Sequence, residues 1–429
     1  MNWKKSPTAV LATLMLINVI GHIDRNMMVA FSPQLTRDLG LSNTQYGFVV
    51  GVAWVLSYGV MALVMGMLAD RFSRPRLLAV GIFIWSVCTA ASGMAHTFGQ
   101  LFGARFFVAS GEAALFPVAV TLLCELFPPQ RRSLALGFFF MTAPIGLGSS
   151  LLLAGTLGTE HSWRTIFVTL GAIGAVLALP LFLLRENRGK HGADVHGEPF
   201  VAQLRAVVKL LRRDPALSLT IVGFVLLNMA FVGLSFGQLW LVRERGFESG
   251  NIARTFGMLQ IVFGALGAFG GGALSDRYAR RLPGAQATVM LIMVVLAGPL
   301  MIAYRLVTPG SPIFYVGMCA GFCLPLATYS PANTFVQNRT PPQISSTITG
   351  ITMLAVNILV YALGNFAAGK VSDALKLAGV TTPLTYVLLV TDILAVVSAR
   401  FFFMAARHMR DVSQTGGVGL MGLRPEEGG

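Results

Sequence analysis

Apolar segments of roughly 20 residues or more, each long enough to cross a bilayer as a helix, recur twelve times along this 429-residue chain. They fall at about 8–33, 44–69, 76–96, 100–126, 132–157, 164–185, 217–241, 253–274, 285–306, 311–337, 343–369 and 383–405. Hydrocarbon offers no water to bare backbone groups, so such segments are dictated to be helices that satisfy their own N–H and C=O groups. Composition agrees: 55% of residues are hydrophobic and 12% charged, with a mean hydropathy of +0.70, where soluble domains average roughly a quarter charged. The expected fold class is an all-α membrane protein. The first apolar run follows Lys4 and Lys5 as in a signal peptide, but it is too long and lacks a small-residue cleavage site. It reads as a retained first span.

One long polar stretch, 185–216, divides the spans six and six. The expected organisation is an N-terminal six-helix bundle (1–186), a cytoplasmic linker (187–216), a C-terminal six-helix bundle (217–410) and a cytoplasmic tail (411–429). The formal net charge of +14 does not indicate nucleic acid, because the basic residues lie in short connections between spans. Placing both termini in the cytoplasm puts most Lys and Arg on that side, as the positive-inside rule requires. The four cysteines all lie in apolar spans and read as packing residues, not as a disulfide framework or metal ligands.

The halves repeat each other. Gly66, Asp70, Arg71 and Arg74 of "GMLADRFSRPR" match Gly272, Asp276, Arg277 and Arg280 of "GALSDRYARR", each at an offset of 206. "PPQRRS" (128–133) and "PPQISS" (341–346) form a second pair. Duplicated halves with a site between them near mid-membrane are a recurring transporter plan. Gly66 allows close helix approach, and Asp70 suits the positive N-terminus of a neighbouring helix. Arg71 and Arg74 can pair across the same junction. This makes a cytoplasmic gate, or, more blandly, basic anchoring, which leaves the glycine and the aspartate unexplained.

Ionisable residues inside spans usually face an interior cavity and mark a substrate or proton route. Asp24 and Arg25 sit in span one, and Arg105 and Glu112 in span four, seven residues apart and so on one helix face. At ~1.5 Å per residue, Asp24 and Arg105 reach a similar depth in the outer half, while Glu112 lies near the middle. Asp24 with Arg105 reads either as a functional pair or as a structural lock. Burial there favours an uncharged Glu112, which suits a group that takes up and releases a proton. Arg25 points about 100° away from Asp24 around the helix, toward the cavity rim or another helix. In the second half, Asn228, Gln238, Gln260, Tyr329, Asn333 and Asn357 are polar cavity candidates among many Met and Phe. Asp392 in the last span has no assigned role.

The doubled G-x-x-x-D-R-x-x-R loop in a six-plus-six layout resembles the major facilitator superfamily, in which the loop motif faces helix eleven and its copy helix five. "HIDRNMM" and "ARFFVASGEAALFP" narrow the resemblance to the Spinster branch, with its Asp-Arg pair in helix one and its R-x-x-x-x-x-G-E-A pattern, here Arg105, Gly111, Glu112 and Ala113. The resemblance implies a secondary active transporter working by alternating access, proton-coupled, that moves an amphiphilic or lipid-like anionic or zwitterionic substrate. Asp24, Arg105 and Glu112 match that branch's functional charges. The G-E-A-x-x-F-P stretch also resembles the anion:cation symporter branch, whose members carry small organic acids with protons, and that is the alternative. Pro144, Gly146 and Gly148 lie where antiporters of the superfamily often have a Gly-Pro motif, and they leave symport and antiport both open.

No enzyme activity, cofactor, metal or nucleic-acid partner is expected. "GVGLMG" (417–422) has the glycine spacing of a dinucleotide loop but not its strand and helix, and no metal-ligand spacing occurs. Short loops and termini suggest a bacterial protein. The expected partners are the small amphiphilic or organic-anion substrate, protons and membrane lipid. We expect a monomer, multi-pass in the plasma (inner) membrane.

Overall fold

The computed structural model describes residues 6–71, 73–113, 115–128, 131, 135, 137–139, 141–182, 200–279 and 285–414. Among them there is no strand, and ten helices are long and apolar enough to cross a membrane. The elements are α1 (Pro7–Ala30), α2 (Ser32–Asp38), α3 (Asn43–Gly47), a π-helical segment (Phe48–Ala53) and α4 (Trp54–Arg71), then α5 (Arg74–Gly93), α6 (Phe98–Glu112), α7 (Leu115–Leu126), α8 (Thr142–Thr156) and α9 (Trp163–Phe182). They continue with α10 (Phe200–Arg213), α11 (Pro215–Leu227), α12 (Ala230–Ser235), α13 (Gly237–Arg243), α14 (Ser249–Ala279), α15 (Ala285–Leu306) and α16 (Pro312–Asn338). The chain closes with α17 (Pro342–Val356), a second π-helical segment (Asn357–Gly364), α18 (Asn365–Leu377) and α19 (Pro383–Gln414).

The starts of these helices are written locally. Pro stands in the first turn of α1, α5, α11 and α16, where its missing N–H is no loss. Ser42 and Gln45 form a reciprocal capping box at α3, which satisfies two otherwise orphaned N–H groups. Gly40 turns the chain between α2 and α3 with φ 61°, a backbone conformation that a side chain disfavours. Among the described residues, turns interrupt spans expected as single helices: span one at Phe31 between α1 and α2, span four after Glu112, and span seven between α11, α12 and α13. Apolar periodicity alone does not register such breaks.

The contacts group the chain into two compact units. One comprises 1–196, 231–265 and 356–391, the other 197–230, 266–355 and 392–429. In the first unit, α5 packs along α9 and α6, and α1 along α8. Glycines permit the close approaches: a Cβ on Gly146 would lie 3.0 Å from the Val19 carbonyl oxygen of α1, and one on Gly148 2.8 Å from that of Gly257. Pro144, Gly146 and Gly148 thus serve the packing of α8. The two π segments meet at Gly51, whose added Cβ would come within 3.2 Å of the Ala362 carbonyl oxygen.

A polar tie joins α2, α3, α13 and α18 within this unit. Asp373 of α18 accepts from the backbone N–H groups of Asn43 (3.1 Å) and Thr44 (2.7 Å) and from the Thr44 hydroxyl (2.6 Å). Asn43 donates to Ser372 Oγ at 2.9 Å. Arg243 donates to Asn43 Oδ1 at 3.0 Å and to Thr36 Oγ1 at 2.6 Å. A carboxylate at the start of α3 is favoured by the orphaned N–H groups and the positive end of the helix.

In the second unit, α15 packs along α16. Gly267 and Gly271 of α14 bring that helix against Cys323 and Ala327 of α16, a small-xxx-small contact of the kind that lets membrane helices touch backbone to backbone. Arg305 donates to Asp392 at 2.8 Å, and both are buried. Asp392 therefore has a partner between α15 and α19, which accounts for a carboxylate in the last span.

Candidate functional site

The intramembrane charges of the first unit gather around Asp24. Arg105 Nη1 lies 3.1 Å from Asp24 Oδ1, and Thr89 of α5 donates to the other carboxylate oxygen. Arg105 Nη2 also donates to the main-chain carbonyls of Asp24 and Arg25, each at 3.3 Å. Asp24 is 2% and Arg105 6% exposed. Burying two charges is costly unless they are paired and further hydrogen-bonded; here both carboxylate oxygens are engaged, and α1, α5 and α6 are pinned at one point.

Glu112 is held differently. Its Oε2 accepts from Trp54 Nε1 at 3.2 Å, while its buried Oε1 has no hydrogen-bond partner among the described residues. Its position follows from Gly111: a Cβ there would lie 2.8 Å from the Trp85 backbone nitrogen of α5. The glycine of the G-E-A pattern therefore presses α6 onto α5 and sets where the next side chain emerges.

Trp54 is the residue the sequence reading did not single out. Besides bonding Glu112, its ring carries the Arg25 guanidinium at 3.4 Å from the centroid, a cation–π contact. Tyr58 stacks beneath it at 4.6 Å, and Ser57 donates to the Phe106 carbonyl of α6. Tyr361 of the second π segment lies 5.8 Å from Arg25 on another side. The sequence signal was faint: a lone Trp in mid-span, opening the helix just after the first π segment. The guanidinium of Arg25 makes no hydrogen bond or ion pair among the described residues. With Met28, Val49, Trp54, Ser235 and Tyr361 it lines a cavity of about 60 Å³. Its lining combines the cations Arg25 and Arg105 with the apolar Met28, Val29, Val49 and Val50.

The remaining candidates divide between the two units. Gln238 is fully buried and donates to the Ser249 carbonyl at 3.0 Å, and Asn357 opens the second π segment; both belong to the first unit. In the second unit, Tyr329 donates to Asn228 Oδ1 at 3.0 Å. Asn333 borders a cavity of about 10 Å³ with Thr220, Thr349 and Thr352, enough for one water. At the expected cytoplasmic gate, α4 runs through Gly66, Asp70 and Arg71, α5 opens at Arg74, and α14 runs through Asp276. The side chains at these positions, and the whole of Arg280, lie outside the described residues, as does 417–422. Arg277 is exposed. No group of metal-ligating side chains occurs among the described residues.

This is a multi-pass helical protein with buried charges in one bundle, and its sequence matches the family model of the Major Facilitator Superfamily over residues 14–365. The chain belongs to that superfamily of membrane transporters. It is 27% identical over 409 residues to an MFS-type efflux pump of Mycolicibacterium smegmatis, covering 94% of each chain. It is 24% identical to protein spinster homolog 3 of Danio rerio, across 97% of this chain and 88% of that one. The hexuronate transporter of Escherichia coli is 27% identical over 324 residues, 70% of this chain and 71% of its own. Among solved structures, a bacterial homolog of the human lysosomal transporter Spinster superposes with a TM-score of 0.80 at 23% identity, covering 94% of this chain and 98% of that one. Within the superfamily, the chain resembles the Spinster branch.

Proposed function

We propose that the protein is a proton-coupled secondary transporter of an amphiphilic anion or zwitterion, seated in the plasma membrane with both termini in the cytoplasm. The observation that carries this reading is the contrast between the two carboxylates. Both Asp24 oxygens are bonded, while Glu112 keeps one buried oxygen without a partner among the described residues. Glu112 is accordingly the proton carrier. Asp24 and Arg105 are the pair whose balance responds to it, and Arg25 on its Trp54 platform receives the negative part of the substrate. Met28, Val29, Val49 and Val50 supply the apolar wall for a tail.

Alternating access requires the polar tie at Asp373 to open in one half of the cycle. The gate of Asp70, Arg71, Arg74, Asp276, Arg277 and Arg280 opens in the other half. The similarity to Spinster proteins supports an amphiphile. The similarity to the hexuronate transporter favours a second reading, in which a small organic acid takes the place of the amphiphile and the charges keep their roles.

The test is uptake into proteoliposomes, with and without an imposed pH gradient, of a labelled lysophospholipid beside a small carboxylate. Gradient-dependent uptake of the lipid, lost in Glu112→Gln and Asp24→Asn, is the expected result. Uptake of the carboxylate alone would transfer the function to the organic-acid reading. Uptake of neither, under gradients of both signs, would overturn both substrate classes.

A further inference from the structure

The helix between the two sets of spans, α10, carries a surface for which the transport site has no use. At 100° per residue, its side chains sort into three strips. Gln203, Val207 and Leu210 form the inward strip. Val207 is 1% exposed and packs in a core with Leu217 and Ile348, and Gln203 accepts from the Thr347 hydroxyl at 2.6 Å. Leu204 and Val208 form a second strip, one turn apart and 39% and 43% exposed. Beside them lies a third, Arg205, Lys209, Arg212 and Arg213, all exposed. The helix contains no acidic residue, and none of these four cations has an ion pair among the described residues.

The position of α10 is set by its junction with α11. A single residue, Asp214, separates them. Asp214 Oδ1 caps α11 by accepting from the Leu217 N–H at 3.1 Å, and its other oxygen is bound by Arg339. Ser218 donates back to the Leu211 carbonyl. The apolar span starts at Pro215 without any intervening loop. A helix fastened in this way lies at the level where that span leaves the hydrocarbon, and there an exposed apolar strip next to a cationic one meets acyl chains and headgroups together.

We infer that α10 is a docking surface for anionic phospholipid of the surrounding leaflet. Leu204 and Val208 sit at the acyl boundary, and Arg205, Lys209, Arg212 and Arg213 bind headgroup phosphates. A basic cluster joined to a membrane span is the pattern that anionic lipid attracts. A soluble polyanion would use the cations and leave the apolar strip in water. The inference rests on the membrane fold and not on which substrate is carried.

The full-length protein in nanodiscs of phosphatidylcholine, with or without phosphatidylglycerol, tests it. The thermal unfolding midpoint is expected to rise when phosphatidylglycerol is present, and the rise is expected to shrink in high salt. R205Q/K209Q/R212Q/R213Q should lose most of that rise, and R205K/R212K/R213K should keep it. An equal rise in the charge-neutral variant would overturn the inference. A second measurement does not depend on that variant folding: the added fluorescence of V208W should be quenched by lipid brominated on its acyl chain. Quenching by aqueous iodide alone would overturn the lipid assignment and give the face to a soluble partner.

Discussion

At the residue scale, two carboxylates in one helical unit differ because their neighbours differ. Asp24 accepts from donors on two other helices, Thr89 of α5 and Arg105 of α6, so its charge is compensated where it stands. Among the described residues, Glu112 has one donor, the Trp54 indole, and an oxygen left over. Glu112→Gln is therefore expected to flatten the pH profile of uptake while the unfolding midpoint stays near that of the wild type. A pH profile that keeps its shape would remove Glu112 from the proton step. Arg105→Ala leaves Asp24 buried beside a vacated partner, a loss that costs about 3–5 kcal/mol when a buried pair is broken. Adding Asp24→Asn to that variant should recover part of the loss, since no uncompensated charge then remains. Denaturation of the single and double variants in detergent measures both.

At the element scale, helix ends carry the stability that periodicity does not. Glu248 precedes α14 and accepts from the backbone N–H groups of Gly250 (2.8 Å) and Asn251 (2.7 Å). Those bonds, first that of Gly250 and then that of Asn251, hold its carboxyl below the usual value. A carboxylate with a lowered folded-state pKa stabilises at pH above its unfolded value of about 4.3. That contribution is lost as pH falls through the lowered value. Glu248→Ala is expected to cost about 0.5 kcal/mol at neutral pH, the low end of capping effects for an exposed residue. At pH well below the carboxylate range, wild type and variant should unfold at the same temperature. The tie at Asp373 follows the same physics at the start of α3, with the carboxylate supplied from far along the chain.

At the scale of the whole molecule, a transporter must break what its resting contacts make. The tie joins residues 36–44 to Arg243, Ser372 and Asp373. If alternating access operates, it opens once per turnover. Cysteines at Thr44 and Asp373 joined by a short bifunctional cross-linker are expected to reduce uptake at least tenfold, with binding of substrate from the other side retained. Uptake at the uncrosslinked rate would show that this tie does not open.

Much of this was legible in the order of the residues. Twelve apolar runs of membrane-crossing length impose helices, because a lipid interior leaves no other way to satisfy the backbone. Charges inside such runs are expensive enough to mark themselves, so Asp24, Arg25, Arg105 and Glu112 stood out without any structure. Trp54 did not, because an aromatic residue in an apolar span has no energetic cost to betray it; only the approach of α1 to α4 shows that it carries Arg25 and holds Glu112. The breaks in spans four and seven, and the Arg305 partner of Asp392, were equally hidden. The Arg305–Asp392 pair joins two helices distant in sequence, which no local pattern registers. Local hydrophobicity decides that each segment is a membrane helix, and only tertiary packing, through close contacts at Gly111, Gly146 and Gly267, decides which side chains face one another.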